Sequence, residues 1–200
     1  MIKAIIFDYD GVLQDTFELH RAKIKEFSGV ELSVEDYKAM HDGNFFTNVT
    51  GKFKQINWPA YRDFIYPIHL SLRIDNNTKR IIMELSKKYN LFVMTAAGTK
   101  NIVGYLEHNG LASQFHEVLG AEFNPSKAER FHLLFKKYDL KPEECLFVTD
   151  TLGDILEANQ VMVKTIAVDF GFHERKRLKK GNPVMIVSTF SELVKAIRKF

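Results

Sequence analysis

The sequence predicts an α/β fold: a Rossmann-like parallel sheet sandwiched by helices, with a small α-helical cap inserted after the first strand. Three observations predict it. Short, continuous apolar runs recur along the chain and end in polar residues, as buried parallel strands do. Helical patterns separate these runs. One stretch, residues 16–75, has helical patterns but no strand-like run, which indicates an insert.

The apolar runs predict six strands. The first is Ala4-Ile5-Ile6-Phe7, which ends in acids and a glycine and is typical of a strand buried on both faces. The other runs span residues 91–94, 117–119, 146–148, 165–168 and 184–187. Helical patterns follow over residues 77–89, 99–109, 127–138, 154–161 and 190–200. Because strands alternate with helices, the sheet should be parallel and covered on both faces.

The insert is predicted to be a small domain rather than a linker. It has helical patterns over residues 19–27, 34–40 and 58–72. It also carries large side chains that need burial, namely Phe27, Phe45, Phe46, Phe53, Trp58 and Phe64. We therefore expect a core domain of residues 1–15 and 76–200 and a helical cap domain of residues 16–75.

Composition excludes several classes of protein. A formal net charge of +3 is too small to predict nucleic-acid binding. No apolar stretch approaches the roughly 18 residues of a membrane span. Met1 is followed at once by a strand-like run, so no signal peptide is expected. The single cysteine, Cys145, cannot form an intrachain disulfide and fits a reducing compartment. We expect a cytoplasmic enzyme, and the sequence predicts no particular oligomeric state.

Polar side chains stand at the ends of the predicted strands, where open α/β sheets bind ligands. They are Asp8, Asp10, Thr95, Asp150 and Asp154, and Lys127 opens the helix after the third strand. Several acids at one edge repel each other and need a hard cation, and Mg²⁺ prefers such oxygen ligands. A carboxylate beside that ion can attack phosphorus as a nucleophile. The pattern therefore favours magnesium-dependent phosphoryl transfer.

The motifs resemble those of the haloacid dehalogenase superfamily. The first motif stands as residues 4–15, AIIFDYDGVLQD, and the fourth as residues 150–154, DTLGD. An apolar strand that ends at Thr95 resembles the second motif, and Lys127 is assigned to the third. The family usually has glycine where Thr149 stands before the fourth motif. The insert, with the tail Val168-Asp169-Phe170-Gly171-Phe172, is similar to the phosphoglycolate phosphatase and β-phosphoglucomutase branch.

The resemblance implies a role for each motif residue. Asp8 would be the nucleophile and a metal ligand. Asp10 would protonate the leaving group, then activate water, and bind the metal through its backbone carbonyl. Thr95 and Lys127 would hold phosphate, and Asp150 and Asp154 would complete the Mg²⁺ site. In the cap, His20 is a candidate to relay protons or contact substrate.

Three functions are consistent with these features. The leading prediction is a Mg²⁺-dependent phosphatase that hydrolyses a small phosphorylated metabolite through an aspartyl-phosphate. A phosphomutase of the β-phosphoglucomutase kind is the alternative that His20 supports. The third is a catalytically degenerate binding module. Candidates for contacts with the leaving group in the cap are His41, Lys52, Lys54 and Arg62.

Overall fold

A computed structural model describes residues 1–48, 51–123 and 126–200 of the chain, except for the side chain of Lys52. These residues contain a six-stranded sheet in the order β3-β2-β1-β4-β5-β6, and every neighbouring pair is parallel. The strands are β1 (Ala4–Phe7), β2 (Asn90–Met94), β3 (Glu117–Leu119), β4 (Cys145–Thr149), β5 (Lys164–Val168) and β6 (Met185–Val187). The predicted Rossmann-like α/β fold is confirmed.

Helices connect the strands and cover the sheet. They are α1 (Phe17–Ser28), α2 (Val34–Met40), α3 (Phe45–Asn48), α4 (Trp58–Ser71), α5 (Asn76–Leu85), α6 (Thr99–His108), α7 (Lys127–Tyr138), α8 (Leu152–Gln160), α9 (Arg175–Leu178) and α10 (Phe190–Ile197). Short 3₁₀ turns span Gly51–Gln55, Ala112–Gln114, Pro142–Glu144 and Lys179–Gly181. Within the described ranges, no helix is both long and apolar enough to cross a membrane.

Both faces of the sheet are covered, as β1 illustrates. Its four side chains are fully buried and alternate between two apolar clusters. Ile5 and Phe7 belong to one cluster. Ala4 and Ile6 belong to the other, on the opposite face. This burial explains why the strand is a continuous apolar run rather than an alternating one.

The strand order reverses beside β1, which places a switch point between β1 and β4. β2 and β3 continue on one side, whereas β4, β5 and β6 lie on the other. The Asp8 N–H donates to the Val148 carbonyl at 2.8 Å, which extends the ladder past the end of β1. The residues after β1 and β4 therefore emerge side by side, where such sheets bind ligands.

A tight turn follows β1 and depends on Gly11. The Tyr9 carbonyl accepts hydrogen bonds from the N–H groups of Leu13 at 3.0 Å and Gln14 at 3.2 Å. Gly11 has a φ of 72°, and a Cβ there would lie 1.8 Å from Asp150 Oδ2. Glycine is thus required both for the backbone conformation and for the close approach of the Asp150 side chain.

In the described part of the insert between β1 and α5 lie four helices, α1 to α4. Their buried side chains form one apolar cluster, whose members from the insert are Ile24, Leu32, Tyr37, Met40, Phe53, Ile56, Tyr61 and Ile65. Phe172, from the loop after β5, joins it. Asn101 of α6 donates to the Arg62 carbonyl of α4 at 2.8 Å, which ties the insert to the sheet-covering helices. The division into a core and a cap domain of residues 16–75 stays a prediction.

Candidate active site

Four aspartates converge at the switch point. Asp8 and Asp10 follow β1, Asp150 follows β4, and Asp154 lies in the first turn of α8. Asp8, Asp150 and Asp154 are buried, whereas Asp10 is half-buried. A chamber beside them is lined by Asp8, Asp10, Lys127, Arg130, Asp154 and Glu157, and is called the acidic chamber below. The structure therefore brings the carboxylates of the first and fourth motifs to one place.

Lys127 lies between two of these carboxylates. Ser126 caps α7 by accepting a hydrogen bond from the Glu129 N–H at 3.3 Å, which fixes Lys127 as the first helical residue. Lys127 Nζ donates to Asp8 Oδ2 at 2.8 Å and to Asp154 Oδ2 at 2.5 Å. Its side chain is only 4% exposed, so the contacts lie in a low-dielectric environment. The lysine assigned from sequence thus contacts the predicted nucleophile.

The ion pairs and burial determine which groups are charged. Burial raises the pKa of Asp8 well above its usual range, although the Lys127 ammonium opposes the shift. Burial alone would raise the pKa of Asp154, but Lys127 and the hydrogen bonds lower it. Burial would lower the pKa of Lys127, but Asp154 and Asp8 raise it above that of a free lysine. Lys127 therefore stays charged at neutral pH and favours the ionised forms of both partners.

Asp150 carries an unsatisfied oxygen. Its Oδ2 accepts a hydrogen bond from the Phe172 N–H at 2.6 Å. Its Oδ1 is buried, and no described residue donates to it. Burial raises the pKa of this carboxyl to about 8, which reflects the cost of an anion without a sufficient partner. A buried carboxylate oxygen without a partner, next to Asp8, fits a divalent cation with oxygen ligands.

Asp10 is held by polar side chains at the start of the insert. Thr16 Oγ1 donates to Asp10 Oδ1 at 2.7 Å, and His20 Nε2 lies 3.0 Å from the same oxygen. His20 Nδ1 lies 2.8 Å from the hydroxyl of Tyr61 in α4, which orients the ring. Burial alone would raise the pKa of Asp10, but His20 lowers it to about 2. His20 therefore contacts the residue to which the sequence assigned proton transfer.

His69 of α4 completes a group that the sequence did not single out. Asp10, His20 and His69 each offer a ligand atom, and these atoms lie within 4.8 Å of one another. His69 is fully buried, and no described residue hydrogen-bonds to either ring nitrogen. Burial lowers the pKa of His69 to about 4, so the ring is neutral at neutral pH. The group has the composition of a divalent-cation site, and its imidazoles suit a transition metal better than Mg²⁺.

Thr95 lies at the end of β2 and is fully buried. Its Oγ1 accepts a hydrogen bond from the Ala97 N–H at 3.0 Å, so the side chain stabilises the turn after the strand. The next residue, Ala96, lines the acidic chamber. The structure places Thr95 at the predicted edge of the sheet, and its role in phosphate binding stays a prediction.

Three polar residues that support the site were missed from the sequence. Arg130 is buried and donates from Nη1 to the carbonyls of Thr95 and Leu119, which joins the ends of β2 and β3. Glu157 accepts from the Lys127 backbone N–H at 2.8 Å, so this helix-terminal donor is already satisfied. Thr149 donates to Asp154 Oδ2 at 2.6 Å. Helical spacing could have pointed to two of them. Arg130 stands one turn after Lys127 and Glu157 one turn after Asp154, so each lies on the same helix face as a motif residue.

The candidate residues of the insert differ in position. His41 lines the acidic chamber, and Arg62 lines a neighbouring chamber that also contains Asp10. Lys54 is exposed. The side chain of Lys52 lies outside the described residues. Of the three candidates whose side chains are described, His41 and Arg62 lie next to the site.

The fold is a doubly wound sheet, and clustered aspartates and a buried lysine lie at its switch point. This combination is typical of enzymes that transfer a charged group. The chain belongs to the haloacid dehalogenase-like hydrolase family, whose model matches residues 5–168. The resemblance carried by the motifs is therefore confirmed, as is the prediction of a hydrolase of this family.

Known proteins resemble this chain over nearly its whole length. Probable phosphatase IndB of Dickeya dadantii is 28% identical, with 96% of this chain and 92% of that protein covered. A phosphoglycolate phosphatase of Synechococcus elongatus is 24% identical, with 98% and 97% covered. A crystal structure of a predicted phosphatase from Clostridium acetobutylicum superposes with a TM-score of 0.82 at 20% identity, with 100% of both chains covered. At that identity, the superposition supports the fold alone.

Proposed function

We propose that this protein is a Mg²⁺-dependent phosphatase that hydrolyses a small phosphorylated metabolite through an aspartyl-phosphate on Asp8. The observation that carries the proposal is the contact of 2.8 Å between Lys127 Nζ and Asp8 Oδ2. A buried carboxylate paired with an ammonium is suited to attack phosphorus while the cation balances the phosphoryl charge. The relatives whose names describe them as phosphatases support the same reaction class.

In the first step, Asp8 attacks phosphorus and the ester bond to the alcohol breaks. Lys127 neutralises the phosphoryl oxygens as charge develops on them, and Thr95 is proposed to donate to one of them. The leaving oxygen needs a proton, and the contact of 3.0 Å between His20 Nε2 and Asp10 Oδ1 provides a pair that can hold one. Asp10 passes this proton to the alcohol.

In the second step, water displaces the phosphoryl group from Asp8. Asp10 accepts the proton of the attacking water, and its pKa of about 2 leaves it ionised for this task. His20, oriented by Tyr61 at 2.8 Å, keeps Asp10 in position. Inorganic phosphate then leaves, and Asp8 is free to react again.

Mg²⁺ is proposed to bind Asp8, the Asp10 backbone carbonyl, Asp150 and Asp154. The unsatisfied, buried Oδ1 of Asp150 supports this assignment. When bound, the ion would offset the repulsion among the carboxylates and neutralise charge on the transferred phosphoryl group. The insert of residues 16–75 is proposed to act as a cap that excludes bulk water during the reaction.

The test is hydrolysis of 4-nitrophenyl phosphate by the purified protein. The wild type should release phosphate in the presence of Mg²⁺, stop when EDTA is added, and recover when Mg²⁺ is restored. Asp8→Asn should lose activity by about 10³-fold or more while it keeps the fold. Near-normal activity of Asp8→Asn would rule out the covalent mechanism.

A phosphomutase is the second candidate, because His20 lies 3.0 Å from Asp10 and could help to activate an acceptor hydroxyl. In that reaction a sugar hydroxyl, rather than water, takes the phosphoryl group from Asp8. Incubation with a sugar monophosphate and a catalytic amount of its bisphosphate separates the two. Isomerised sugar phosphate indicates a mutase, whereas inorganic phosphate indicates the proposed phosphatase.

A further inference from the structure

A second chamber adjoins the acidic chamber on the other side of Asp10. It is called the aromatic chamber, because its walls include the rings of Tyr37, Phe45, Phe46, Trp58, Tyr61 and Phe172. Six described residues line both chambers, namely Asp10, His41, Phe45, Phe46, Ala96 and Phe172. The two spaces are therefore adjacent, with the proposed acid–base residue at their boundary.

The position of Asp10 determines which part of a substrate each chamber would hold. A phosphoryl group that reacts with Asp8 must lie in the acidic chamber beside Lys127. The ester oxygen must then lie within reach of Asp10, which transfers the proton. The alcohol beyond that oxygen extends into the aromatic chamber. The walls of this chamber consequently select the leaving group.

The rings of the aromatic chamber form a packed wall. The centroids of Phe45 and Trp58 lie 4.9 Å apart with planes at 76°, an edge-to-face arrangement. His41 and Phe172 lie 5.1 Å apart at 88°. Such mutually packed rings hold one another in place, so the wall is preformed. It offers flat apolar surface to whatever enters.

Polar side chains also line this chamber, namely Asp10, His20, His41, Arg62, His69 and Asn101. Of the described side chains that line it, Arg62 is the one lysine or arginine. The buried Trp58 Nε1 has no acceptor among the described residues, and neither ring nitrogen of the fully buried His69 has a partner there. The carboxylate of a short anionic alcohol would find Arg62 as a partner, but such an alcohol would leave the rings uncovered. A ring would cover them.

We infer that the substrate is a phosphomonoester of an alcohol that carries an aromatic ring, and that the ring binds in the aromatic chamber. This inference rests on the proposed phosphatase function. The ring would be buried among Phe45, Phe46 and Trp58 while Asp10 faces the ester oxygen.

The first test compares two primary alkyl phosphates, 2-phenylethyl phosphate and 2-phosphoglycolate, whose leaving oxygens have similar reactivity. The value of kcat/KM should be higher for 2-phenylethyl phosphate by about tenfold or more, the size of effect an added apolar contact can give. Equal or better turnover of 2-phosphoglycolate overturns the inference but leaves the phosphatase function intact. If neither these esters nor 4-nitrophenyl phosphate is hydrolysed, the proposed function fails and the inference fails with it.

The second test changes the wall. Trp58→Ala should lower kcat/KM for 2-phenylethyl phosphate by about tenfold and change that for 2-phosphoglycolate less, because 2-phosphoglycolate has no ring to bury against the wall. Tyr66→Ala is the matched control, because Tyr66 lies on the same helix but does not line the chamber. If Trp58→Ala does not fold, Phe46→Leu serves in its place. An equal loss with both esters, or the same loss in Tyr66→Ala, overturns the inference.

Discussion

Lys127 Nζ and Asp8 Oδ2 lie 2.8 Å apart, although 119 positions separate the two residues in the chain. The same ammonium contacts Asp154, so one buried cation balances two carboxylates that would otherwise repel each other. This arrangement exists only because β1, α7 and α8 end or begin at one edge of the sheet. It is the relationship from which the proposed chemistry follows.

Replacement of Lys127 should impair both activity and stability. Lys127→Met leaves Asp8 and Asp154 facing each other without their cation, and kcat should fall by about 10²–10³-fold. The unfolding free energy of the metal-free protein should fall by about 3 kcal/mol. Phosphatase assays and urea unfolding measure the two effects. Lys136→Met, an exposed change on the same helix, is the control and should alter neither.

Removal of His20 should shift the pH dependence of activity. His20 lowers the pKa of Asp10, so His20→Gln should raise that pKa and move the acid limb of the kcat profile, which reports the base of the second step, to higher pH. Tyr61→Phe removes only the hydroxyl that orients His20 and should give a smaller shift in the same direction. An acid limb that stays unchanged in His20→Gln would disprove the link between His20 and Asp10.

Asp150 should determine the affinity for Mg²⁺. Asp150→Asn removes the negative charge of the carboxylate whose buried Oδ1 has no partner among the described residues. The variant should therefore need at least about tenfold more Mg²⁺ for half-maximal activity. The measurement is a Mg²⁺ titration of EDTA-treated enzyme. Asp169→Asn, in the loop after β5, is the control. Equal Mg²⁺ requirements in wild type and Asp150→Asn would show that Asp150 is not a ligand.

Buried histidines should make the protein less stable in acid. Burial lowers the pKa of His69 to about 4 and that of His41 to about 3, from 6.5 for a free histidine. The unfolded chain therefore binds more protons below pH 6.5, and stability falls as the pH falls from 6.5 towards 4. His69 alone should contribute about 2 kcal/mol of loss between pH 7 and 5.

The histidine prediction is checked by urea unfolding of the metal-free protein at several pH values. His69→Gln removes one titrating group, so its stability should depend less steeply on pH than that of the wild type. His132→Gln changes an exposed histidine and should keep the wild-type slope. Identical slopes in wild type and His69→Gln would contradict a buried, neutral His69.

Most of the fold could be predicted from the sequence because buried parallel strands have a distinct pattern. β1 and β4 are buried on both faces, so each is a short continuous apolar run that ends in an acid. The short helix α3 was not predicted, because four residues are too few for a helical pattern to emerge. The strand order followed from no local pattern, since it depends on contacts between distant segments.

The motif residues of the site could be predicted, but their partners could not. Asp8 and Asp150 follow strands, and strand ends are visible in sequence. Thr149, by contrast, appeared only as a departure from the family pattern, yet its hydroxyl donates to Asp154. His69 gave no signal, because a histidine in an amphipathic helix has no local feature that distinguishes a buried ring beside Asp10 from an exposed one.

The most direct test is to look for the phosphoryl group on Asp8. Asp10→Asn should slow the attack of water more than the first step with 4-nitrophenyl phosphate, whose leaving group needs little protonation. After acid quenching, peptide mass spectrometry should find one phosphoryl group on Asp8 in this variant and none in the double variant with Asp8→Asn. Continued release of 4-nitrophenol with Asp8 unmodified at every quench time would contradict a covalent role for Asp8.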